Sequence, residues 1–227
     1  MNNMEKNLNG IHARIASAAN ASGRAADSIM LLAVSKKKPA SDIRLAFQCG
    51  QGDFGENYLQ EALQKMQELQ DLDINWHFIG AIQSNKTRSI AEAFDWVHCV
   101  DRLKIAKRLS EQRPATLAPL NICIQINLDH ETSKAGIDLS ELNGLAMPIA
   151  ALPGIRLRGL MAIPAPRADY SGQCEAFARL AGALESLRQQ GLDCDTLSMG
   201  MTQDMDAAIA QGSTLVRIGT AIFGERL

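Results

Sequence analysis

The sequence contains little that would mark a secreted, disulfide-stabilised or metal-binding protein. Its five cysteines are odd in number, scattered and without a CxxC pair, and several lie within apolar runs. This usage is typical of reduced thiols packed in the core of a cytoplasmic protein. The four histidines are equally dispersed. We therefore expect no metal site, because metal ligands usually recur at short, characteristic spacings.

An excess of charge and a long apolar run are also absent. With 23 basic and 25 acidic residues, the net charge of −2 offers no electrostatic reason to bind nucleic acid or an anionic membrane. No apolar run approaches the roughly 20 residues of a membrane span. The polar residues 1–6 lack the apolar core of a signal peptide, and no linker-like stretch divides the chain. We expect a single domain over residues 1–227, located in the cytoplasm.

What the sequence does contain is a regular alternation of predicted strands and helices. Short aliphatic runs, typical of strands buried on both faces of a parallel sheet, alternate with amphipathic segments of helical spacing. An amphipathic helix over about residues 7–19 precedes the first run, and every predicted strand but the last is followed by a clear helix. The eight strands cover residues 29–36, 54–56, 75–80, 95–100, 120–127, 155–161, a short segment ending at 198, and 215–218.

This alternation implies parallel strands joined by right-handed crossovers. Eight units in 227 residues favour an α/β fold, a modified TIM (β/α)8 barrel with an extra N-terminal helix, although such barrels typically have about 250 residues. A doubly wound open sheet is the alternative, and it would need fewer strands. A barrel gathers the carboxyl ends of all its strands at one mouth, so polar residues at those ends are expected to meet there.

Five side chains are predicted to cap the helices that follow these strands. A polar residue directly before a helical segment accepts a hydrogen bond from the first turn of the helix. The predicted N-caps are Ser41, Asn57, Asp101, Asp138 and Thr202, with Gln60 and Glu141 completing capping boxes at Asn57 and Asp138.

The candidate for reactive chemistry is Lys36. The apolar run from Ile29 ends abruptly on this lysine, and the nearby Pro39 disfavours helix at the residue before it, so the chain must leave the strand here. A lysine amine that is removed from water loses its proton more readily and condenses with an aldehyde. Taken alone, the three consecutive lysines 36–38 fit a solvated basic turn better. The residues at the other strand ends reverse that preference.

Two turns of small residues follow the last two predicted strands, Ser198-Met199-Gly200 and Gly219-Thr220. Glycine lets the backbone approach a ligand closely, and consecutive N–H groups at a helix start favour an anion. Barrels frequently hold phosphate in these two loops, and the hydroxyls of Ser198 and Thr220 would add donors. Together with the strand-end lysine, these turns predict a phosphorylated aldehyde as the ligand.

Arg217 is an unusual residue for the final apolar strand, because a charge there needs a partner. One interpretation is a structural salt bridge with a carboxylate such as Glu56 or Glu225. The other is contact with the ring nitrogen of pyridoxal 5′-phosphate. Arginine does not give up its proton, so this contact would leave the ring nitrogen unprotonated and the ring a weaker electron sink.

Three further polar side chains are expected at the mouth. His77 is interpreted as a hydrogen-bonded residue of the mouth rather than a proton shuttle. Asn57 and Asn85 each fit contact with a ligand and simple capping of a helix equally well.

Five motifs, in the order of a known family, carry a resemblance that covers nearly the whole chain. They are Ala33-Val34-Ser35-Lys36, Phe54-Gly55-Glu56-Asn57-Tyr58, Trp76-His77-Phe78-Ile79-Gly80 with Gln83-Ser84-Asn85-Lys86, Leu197-Ser198-Met199-Gly200-Met201 with Asp204, and Arg217-Ile218-Gly219-Thr220 with Ile222-Phe223-Gly224. In these motifs the chain resembles the YggS/PROSC-type pyridoxal phosphate homeostasis proteins.

The resemblance implies a modified TIM barrel like the N-terminal domain of bacterial alanine racemase, with pyridoxal 5′-phosphate held as a Schiff base on Lys36. It also implies that Arg217 faces the ring nitrogen and that Lys134, in Ser133-Lys134, is a secondary candidate for cofactor contact. The residues that it places around the phosphate are Ser198, Gly200, Gly219 and Thr220, with Met199 in the same turn.

The function expected from this resemblance is that of a cytoplasmic carrier or regulator of pyridoxal phosphate, with no catalytic residue assigned. Alanine racemases need a second acid/base, a tyrosine from an added β-domain of the partner subunit. This chain has only Tyr58 and Tyr170 and ends at Leu227, directly after the predicted barrel. We expect a monomer whose recipients are apo-enzymes that use pyridoxal phosphate.

Two alternatives remain open for the function. One is a weak pyridoxal-phosphate-dependent amino-acid racemase or lyase, which proton exchange at the α-carbon of amino acids would reveal. The other is a phosphosugar-binding barrel that uses Lys36 as an aldolase-type base, and that protein would be colourless.

Overall fold

Eight parallel strands close into a barrel in the computed structural model, which describes residues 3–131 and 134–225. Each strand pairs with its neighbour in chain order, and the last strand pairs with the first. The strands are β1 (Met30–Val34), β2 (Asp53–Glu56), β3 (Asn75–Phe78), β4 (Trp96–Val100), β5 (Leu120–Ile126), β6 (Ile155–Ala162), β7 (Thr196–Ser198) and β8 (Leu215–Ile218).

The described residues also form nine α-helices, one before β1 and one after each strand. They are α1 (Asn3–Ala21), α2 (Ala40–Gln48), α3 (Leu59–Glu68), α4 (Thr87–Ala93), α5 (Leu103–Gln112), α6 (Leu142–Ala150), α7 (Tyr170–Gln189), α8 (Met205–Ala210) and α9 (Thr220–Phe223). The prediction of a modified TIM barrel with an extra N-terminal helix is therefore confirmed. The last strand, expected to lack a clear helix, is followed by the single turn of α9.

The N-terminal helix supports the side of the barrel that carries the last two turns. Its apolar stripe repeats every three or four residues and packs against α8 and α9. The Asn7 amide donates to the Ile222 carbonyl at 2.8 Å. Arg14 pairs with Asp206 at 3.0 Å and donates to the Thr202 carbonyl at 2.6 Å. The buried residues of the stripe are Met4, Leu8, Ile11, Ile15 and Ala19.

Strand β1 ends two residues earlier than predicted, at Val34. A tight turn starts directly after it, because the Lys38 N–H donates to the Ser35 carbonyl at 3.0 Å. Lys37 adopts a left-handed conformation within this turn, with φ of 61°. Lys36 therefore lies in the turn and not in the strand, although it stays at the carboxyl end of β1.

Only one of the five predicted N-caps is confirmed. The Asp138 carboxylate accepts from the Ser140 N–H at 2.8 Å, and the Glu141 carboxylate accepts from the Asp138 N–H at 3.1 Å, which completes the capping box. The side chains at the other four positions make no capping hydrogen bond, and their helices begin elsewhere. Those four positions are Ser41, Asn57, Asp101 and Thr202.

The physical reason differs between these helices. At α2 the N-cap position is taken by Pro39, whose ring holds φ at −67°, so the helix starts before Ser41. At α8 the Asp204 carboxylate accepts from the Met201 N–H at 2.6 Å. That bond closes a separate turn over residues 201–204 and delays the helix to Met205.

Across residues 3–131 and 134–225, no helix has the combination of length and apolarity that crossing a bilayer requires. The same residues contain no group of three or more histidine, cysteine, aspartate or glutamate side chains arranged to hold a metal ion.

Candidate functional site at the barrel mouth

A cavity of about 210 Å³ opens at the carboxyl ends of the strands. It brings together five of the predicted site residues, Lys36, Asn57, Arg217, Gly219 and Thr220. Pockets for drug-sized ligands usually have about 300–1,000 Å³. The smaller volume here favours a ligand smaller than a typical drug molecule.

The lining of this mouth cavity is apolar on several strands and polar on its turns. Val34, Ile79 and Met161 contribute aliphatic and thioether surface, which suits the faces of a flat ring. The charged lining residues are Lys36, Lys38 and Arg217, and all three are cationic types. A ligand with an anionic group is therefore favoured.

A buried ion pair lies directly behind the turn that carries Lys36. The Lys65 ammonium, 5% exposed, lies 2.7 Å from a carboxylate oxygen of the fully buried Glu56. Lys65 also donates to the Ser35 carbonyl at 2.9 Å, and the Ser35 hydroxyl donates to Glu56 at 2.7 Å. The residue before Lys36 is thus held through both its backbone and its side chain.

A second carboxylate, Glu61, holds the residue after Lys36. Its oxygen lies 2.5 Å from the Lys65 ammonium and accepts from the Lys37 N–H at 2.5 Å. Burial raises the pKa of Glu56, and the neighbouring Lys65 ammonium acts in the opposite direction. Together these contacts fix the turn on both sides of Lys36.

Sequence reasoning missed Lys65, although a signal for it exists. The residues of α3 that become buried are Leu59, Ala62 and Lys65, and their three-residue spacing continues one stripe of the helix. A lysine on that stripe, four residues after Glu61, indicates an inward-facing ion pair rather than a solvated charge.

Arg217 is buried beneath the mouth cavity, and one of its surfaces lines the cavity. Its guanidinium donates to the Ser198 carbonyl at 2.5 Å, to the Ser198 hydroxyl at 2.7 Å and to the Ala162 carbonyl at 2.9 Å. Among the described residues no carboxylate pairs with it, so the salt bridge considered with Glu56 or Glu225 is not formed. Burial lowers the pKa of Arg217 to about 10, and the guanidinium stays protonated at neutral pH.

Asn57 lines the cavity and also carries an unusual buried atom. Its side-chain oxygen is enclosed by the protein and has no hydrogen-bond partner within the part of the chain that the structure describes. Gly80 lets the Asn57 backbone lie close, because a Cβ at residue 80 would collide with the Asn57 backbone carbonyl. A buried acceptor without a partner is costly.

The turn after β8 lies on the cavity, whereas most of the turn after β7 does not. Gly219 and Thr220 begin α9, whose first N–H groups have no partner within the helix. The segment Ser198-Met199-Gly200 is buried below the cavity and does not line it. The turn after β7 reaches the cavity only further along, at Met201 and Thr202.

Gly200 is required by packing rather than by a ligand. Its φ of 98° is a conformation that favours glycine, and an added Cβ would lie 2.6 Å from the Ala208 side chain. Its carbonyl accepts from the Arg217 N–H at 3.0 Å. Gly200 therefore shapes the site from beneath, by letting α8 approach β8.

The expectation that His77 lies at the mouth is wrong. Its ring is fully buried in the barrel, stacked on Trp96 with ring centroids 5.4 Å apart and bonded to His98 at 2.9 Å and Asp53 at 3.2 Å. The side chain of His77 points inward, and it pairs with residues of the neighbouring strands. It does not line the mouth cavity.

Two other predicted residues also lie off the mouth cavity. Asn85 is exposed on a short 3₁₀ turn that leads into α4. Lys134 lines a separate cavity of about 120 Å³ and lies 2.6 Å from Glu131 and 3.2 Å from the Ile163 carbonyl. Ile163 is common to both cavities. Ser133, which was predicted together with Lys134, lies outside the described residues.

The two buried histidines predict a loss of stability in mild acid. Burial lowers the pKa of His77 and lowers that of His98 further, so the unfolded chain takes up protons below about pH 6.5 while the folded protein does not. Each histidine should then reduce the unfolding free energy by up to about 1.4 kcal/mol per pH unit. Urea unfolding between pH 8 and pH 5 measures this slope.

Because the pKa of Glu56 is raised in the folded protein, protonation of Glu56 stabilises the fold as the pH falls over part of that range. The change of the unfolding free energy with pH is therefore measured in the Glu56→Gln variant. The matched control adds His12→Gln, which removes an exposed histidine instead of a buried one. Unchanged stability from pH 8 to pH 5 in that background would contradict the prediction.

Comparison with known proteins agrees with this geometry. The sequence model described as alanine racemase, N-terminal domain, matches residues 7–227. The pyridoxal phosphate homeostasis protein of Pseudomonas aeruginosa is 58% identical over 226 residues, which cover 100% of this chain and 97% of that protein. The protein of the same name from Escherichia coli K12 is 54% identical over 229 residues, covering 100% and 98%.

A solved structure extends the comparison to three dimensions. PipY of Synechococcus elongatus PCC7942, solved with PLP bound, superposes with a TM-score of 0.86 at 35% identity, covering 97% of this chain and 100% of that one. The barrel is thus of the alanine racemase N-terminal domain class. Within this class, the chain belongs to the family of pyridoxal phosphate homeostasis proteins. The resemblance stated from the sequence is confirmed.

Proposed function

We propose that this protein binds pyridoxal 5′-phosphate in the mouth cavity as a Schiff base on Lys36 and keeps the cofactor available to other proteins. The observation that carries the proposal is that Lys36 and Arg217 line one cavity together with the Gly219–Thr220 turn. The names of the relatives and the PLP-bound structure of PipY support the same ligand class.

The lining residues fit the chemical groups of this cofactor. The amine of Lys36 would hold the aldehyde carbon of the cofactor as a Schiff base, the aldehyde oxygen leaving as one water. The turn at Gly219 and Thr220 offers N–H groups and a hydroxyl to the phosphate. Asn57 lines the same cavity. Ser198, Met199 and Gly200 lie beneath the cavity and support it.

Arg217 favours holding the cofactor over using it. When bound, pyridoxal phosphate supplies an aldehyde and a pyridine ring that accepts electrons. The guanidinium of Arg217 is a donor that keeps its proton, so a contact with the ring nitrogen leaves that nitrogen unprotonated. Carbanion chemistry, as in racemisation or decarboxylation, is then weakly supported.

The proposal predicts a single labelled lysine. Purified protein incubated with pyridoxal phosphate should be yellow, and borohydride reduction followed by peptide mass spectrometry should place the adduct on Lys36. Lys36→Ala should lose the imine absorbance and retain weaker binding through the phosphate turn. The matched control is Lys37→Asn, because asparagine tolerates the left-handed conformation at that exposed position. A major adduct on Lys37 or Lys38 would overturn the assignment.

A second experiment separates a carrier from an enzyme. Protein loaded with pyridoxal phosphate should restore transaminase activity when it is mixed with an apo-transaminase. It should do so faster than a filtrate of the loaded protein, which contains only the free cofactor. In parallel, turnover on a panel of amino acids should stay well below about 1 s⁻¹, the lower end of the usual enzyme range. Racemase or lyase turnover at or above that rate would refute the non-enzymatic role. Reactivation no faster than the filtrate would refute delivery.

A further inference from the structure

Five polar side chains form a row through the barrel interior, from the mouth cavity to the opposite rim. They are Arg217, Ser198, His98, His77 and Asp53. We propose that they form one directional hydrogen-bond chain in which Ser198 and His98 are positioning residues for Arg217, and that Ser198 is not a phosphate ligand. The expected effect on cofactor binding rests on the proposed function, whereas the hydrogen-bond chain itself does not.

The row is continuous and almost entirely sealed from water. The Arg217 guanidinium lies 2.7 Å from the Ser198 hydroxyl oxygen, which lies 2.8 Å from Nδ1 of His98. Nε2 of His98 lies 2.9 Å from Nδ1 of His77, and Nε2 of His77 lies 3.2 Å from the Asp53 carboxylate. The three middle residues are 0% exposed, and only the Asp53 side chain, 21% exposed, reaches water appreciably.

The two ends of the row determine its direction. A guanidinium only donates and a carboxylate only accepts. The Asp53 carboxylate therefore accepts from Nε2 of His77, and with a neutral ring Nδ1 of His77 accepts from Nε2 of His98. Nδ1 of the neutral His98 ring then accepts the single hydroxyl hydrogen of Ser198, whose oxygen accepts from Arg217. All four links are satisfied with both rings neutral, which agrees with the lowered pKa of each histidine.

The chain leaves Arg217 with a defined set of donors for the cavity. Of its five N–H groups, both on Nη1 are bonded to Ser198 and one on Nη2 is bonded to the Ala162 carbonyl. The remaining Nη2 hydrogen and the Nε hydrogen have no partner among residues 3–131 and 134–225. They are the donors available to a ring nitrogen, while the hydroxyl of Ser198 is fully used inside the barrel.

The first test reads the histidine tautomers in the protein without added ligand. Long-range ¹H–¹⁵N spectra of ¹⁵N-histidine-labelled protein at pH 7 should show both His77 and His98 as single Nε2–H tautomers, with the exposed His12 as the internal reference. In Asp53→Asn the acceptor-only end is lost, so His77 and His98 should become mixtures of tautomers. A doubly protonated ring, or an Nδ1–H tautomer at either position in the parent protein, would overturn the chain.

The second test uses two ligands that differ by the phosphate. Ser198→Ala should weaken pyridoxal phosphate and pyridoxal by the same factor, about tenfold, because it loosens Arg217. The dissociation constant of pyridoxal divided by that of pyridoxal phosphate should then be unchanged. Thr220→Val, at the phosphate turn, should reduce this ratio. Weakening of pyridoxal phosphate alone in Ser198→Ala would make Ser198 a phosphate ligand and refute the proposal.

A conservative pair of substitutions separates positioning from packing. His98→Leu should repeat the effect of Ser198→Ala on both ligands, because the acceptor for the serine hydroxyl is lost. His98→Asn keeps an amide oxygen near the place of Nδ1 and should recover most of the lost affinity. Equal losses in both variants would show that His98 acts only through packing. If the parent protein binds neither ligand, the proposed function fails, and the tautomer spectra still test the hydrogen-bond chain.

Discussion

Replacing Gly219 with valine is expected to weaken pyridoxal phosphate binding by about 100-fold, the equivalent of two lost charge-assisted hydrogen bonds. A Cβ at this position would lie 3.2 Å from the Val34 carbonyl and 3.5 Å from the Val34 side chain, and Gly219 itself lines the mouth cavity, so a valine side chain adds bulk beside the phosphate turn. The phosphate would then be kept from the N–H groups of the turn. Equilibrium dialysis with pyridoxal phosphate and with pyridoxal measures the effect, which should be larger for the phosphorylated ligand.

The φ of Gly219 is −117°, outside the left-handed region that favours glycine. Urea unfolding checks that the variant keeps its fold, because Val34 must shift slightly to accommodate the added Cβ. The matched control is Gly182→Val, where an added Cβ meets no atom within 4 Å. An affinity for pyridoxal phosphate within threefold of the parent protein would exclude this turn as the phosphate site.

Replacing Lys65 with methionine is expected to destabilise the protein by about 3–5 kcal/mol, because it leaves the charge of Glu56 buried without a partner. In the same variant the Ser35 carbonyl keeps the Lys38 N–H and loses the Lys65 ammonium, one of its two donors. Because this contact holds the turn before Lys36, imine formation with pyridoxal phosphate should also slow. Urea unfolding and stopped-flow absorbance measure the two effects separately.

Two companion variants sharpen this prediction. Lys65→Met combined with Glu56→Gln removes the buried charge and keeps an acceptor for the Ser35 hydroxyl, so most of the lost stability should return. Arg44→Met breaks an ion pair with Asp71 whose side chains are 36% and 57% exposed, and it should cost less than about 1 kcal/mol. Similar losses in Lys65→Met and Arg44→Met would contradict the importance assigned to burial.

The functional expectations from the sequence depended on which residues follow strands. The end of β1 places Lys36 at the mouth even though the strand stops at Val34, because a turn that leaves the carboxyl end of a parallel strand stays at that edge. For the same reason Gly219 and Thr220, directly after β8, lie on the cavity. These positions needed no knowledge of long-range contacts.

Expectations about where side chains point and what they bond to were less successful. Ser198 was expected beside the phosphate and His77 at the mouth, and in the structure both side chains face the barrel interior and bond to His98. A strand-end position does not reveal whether a side chain is satisfied within the barrel or faces the mouth. Similarly, four of the five expected helix caps were wrong, because neighbouring turns and Pro39 determined where the helices start.

The sequence by itself determined the barrel, five of the residues at its mouth and the family, because strand and helix periodicity and the order of motifs are local properties of the chain. Only the tertiary structure decided that Arg217 rests on Ser198 and His98, and that Lys65 pairs with Glu56 behind Lys36. Closing eight strands into a barrel makes neighbours of residues that are about one hundred positions apart, such as His98 and Ser198. Which buried donor meets which buried acceptor follows from that closure, and no local pattern contains it.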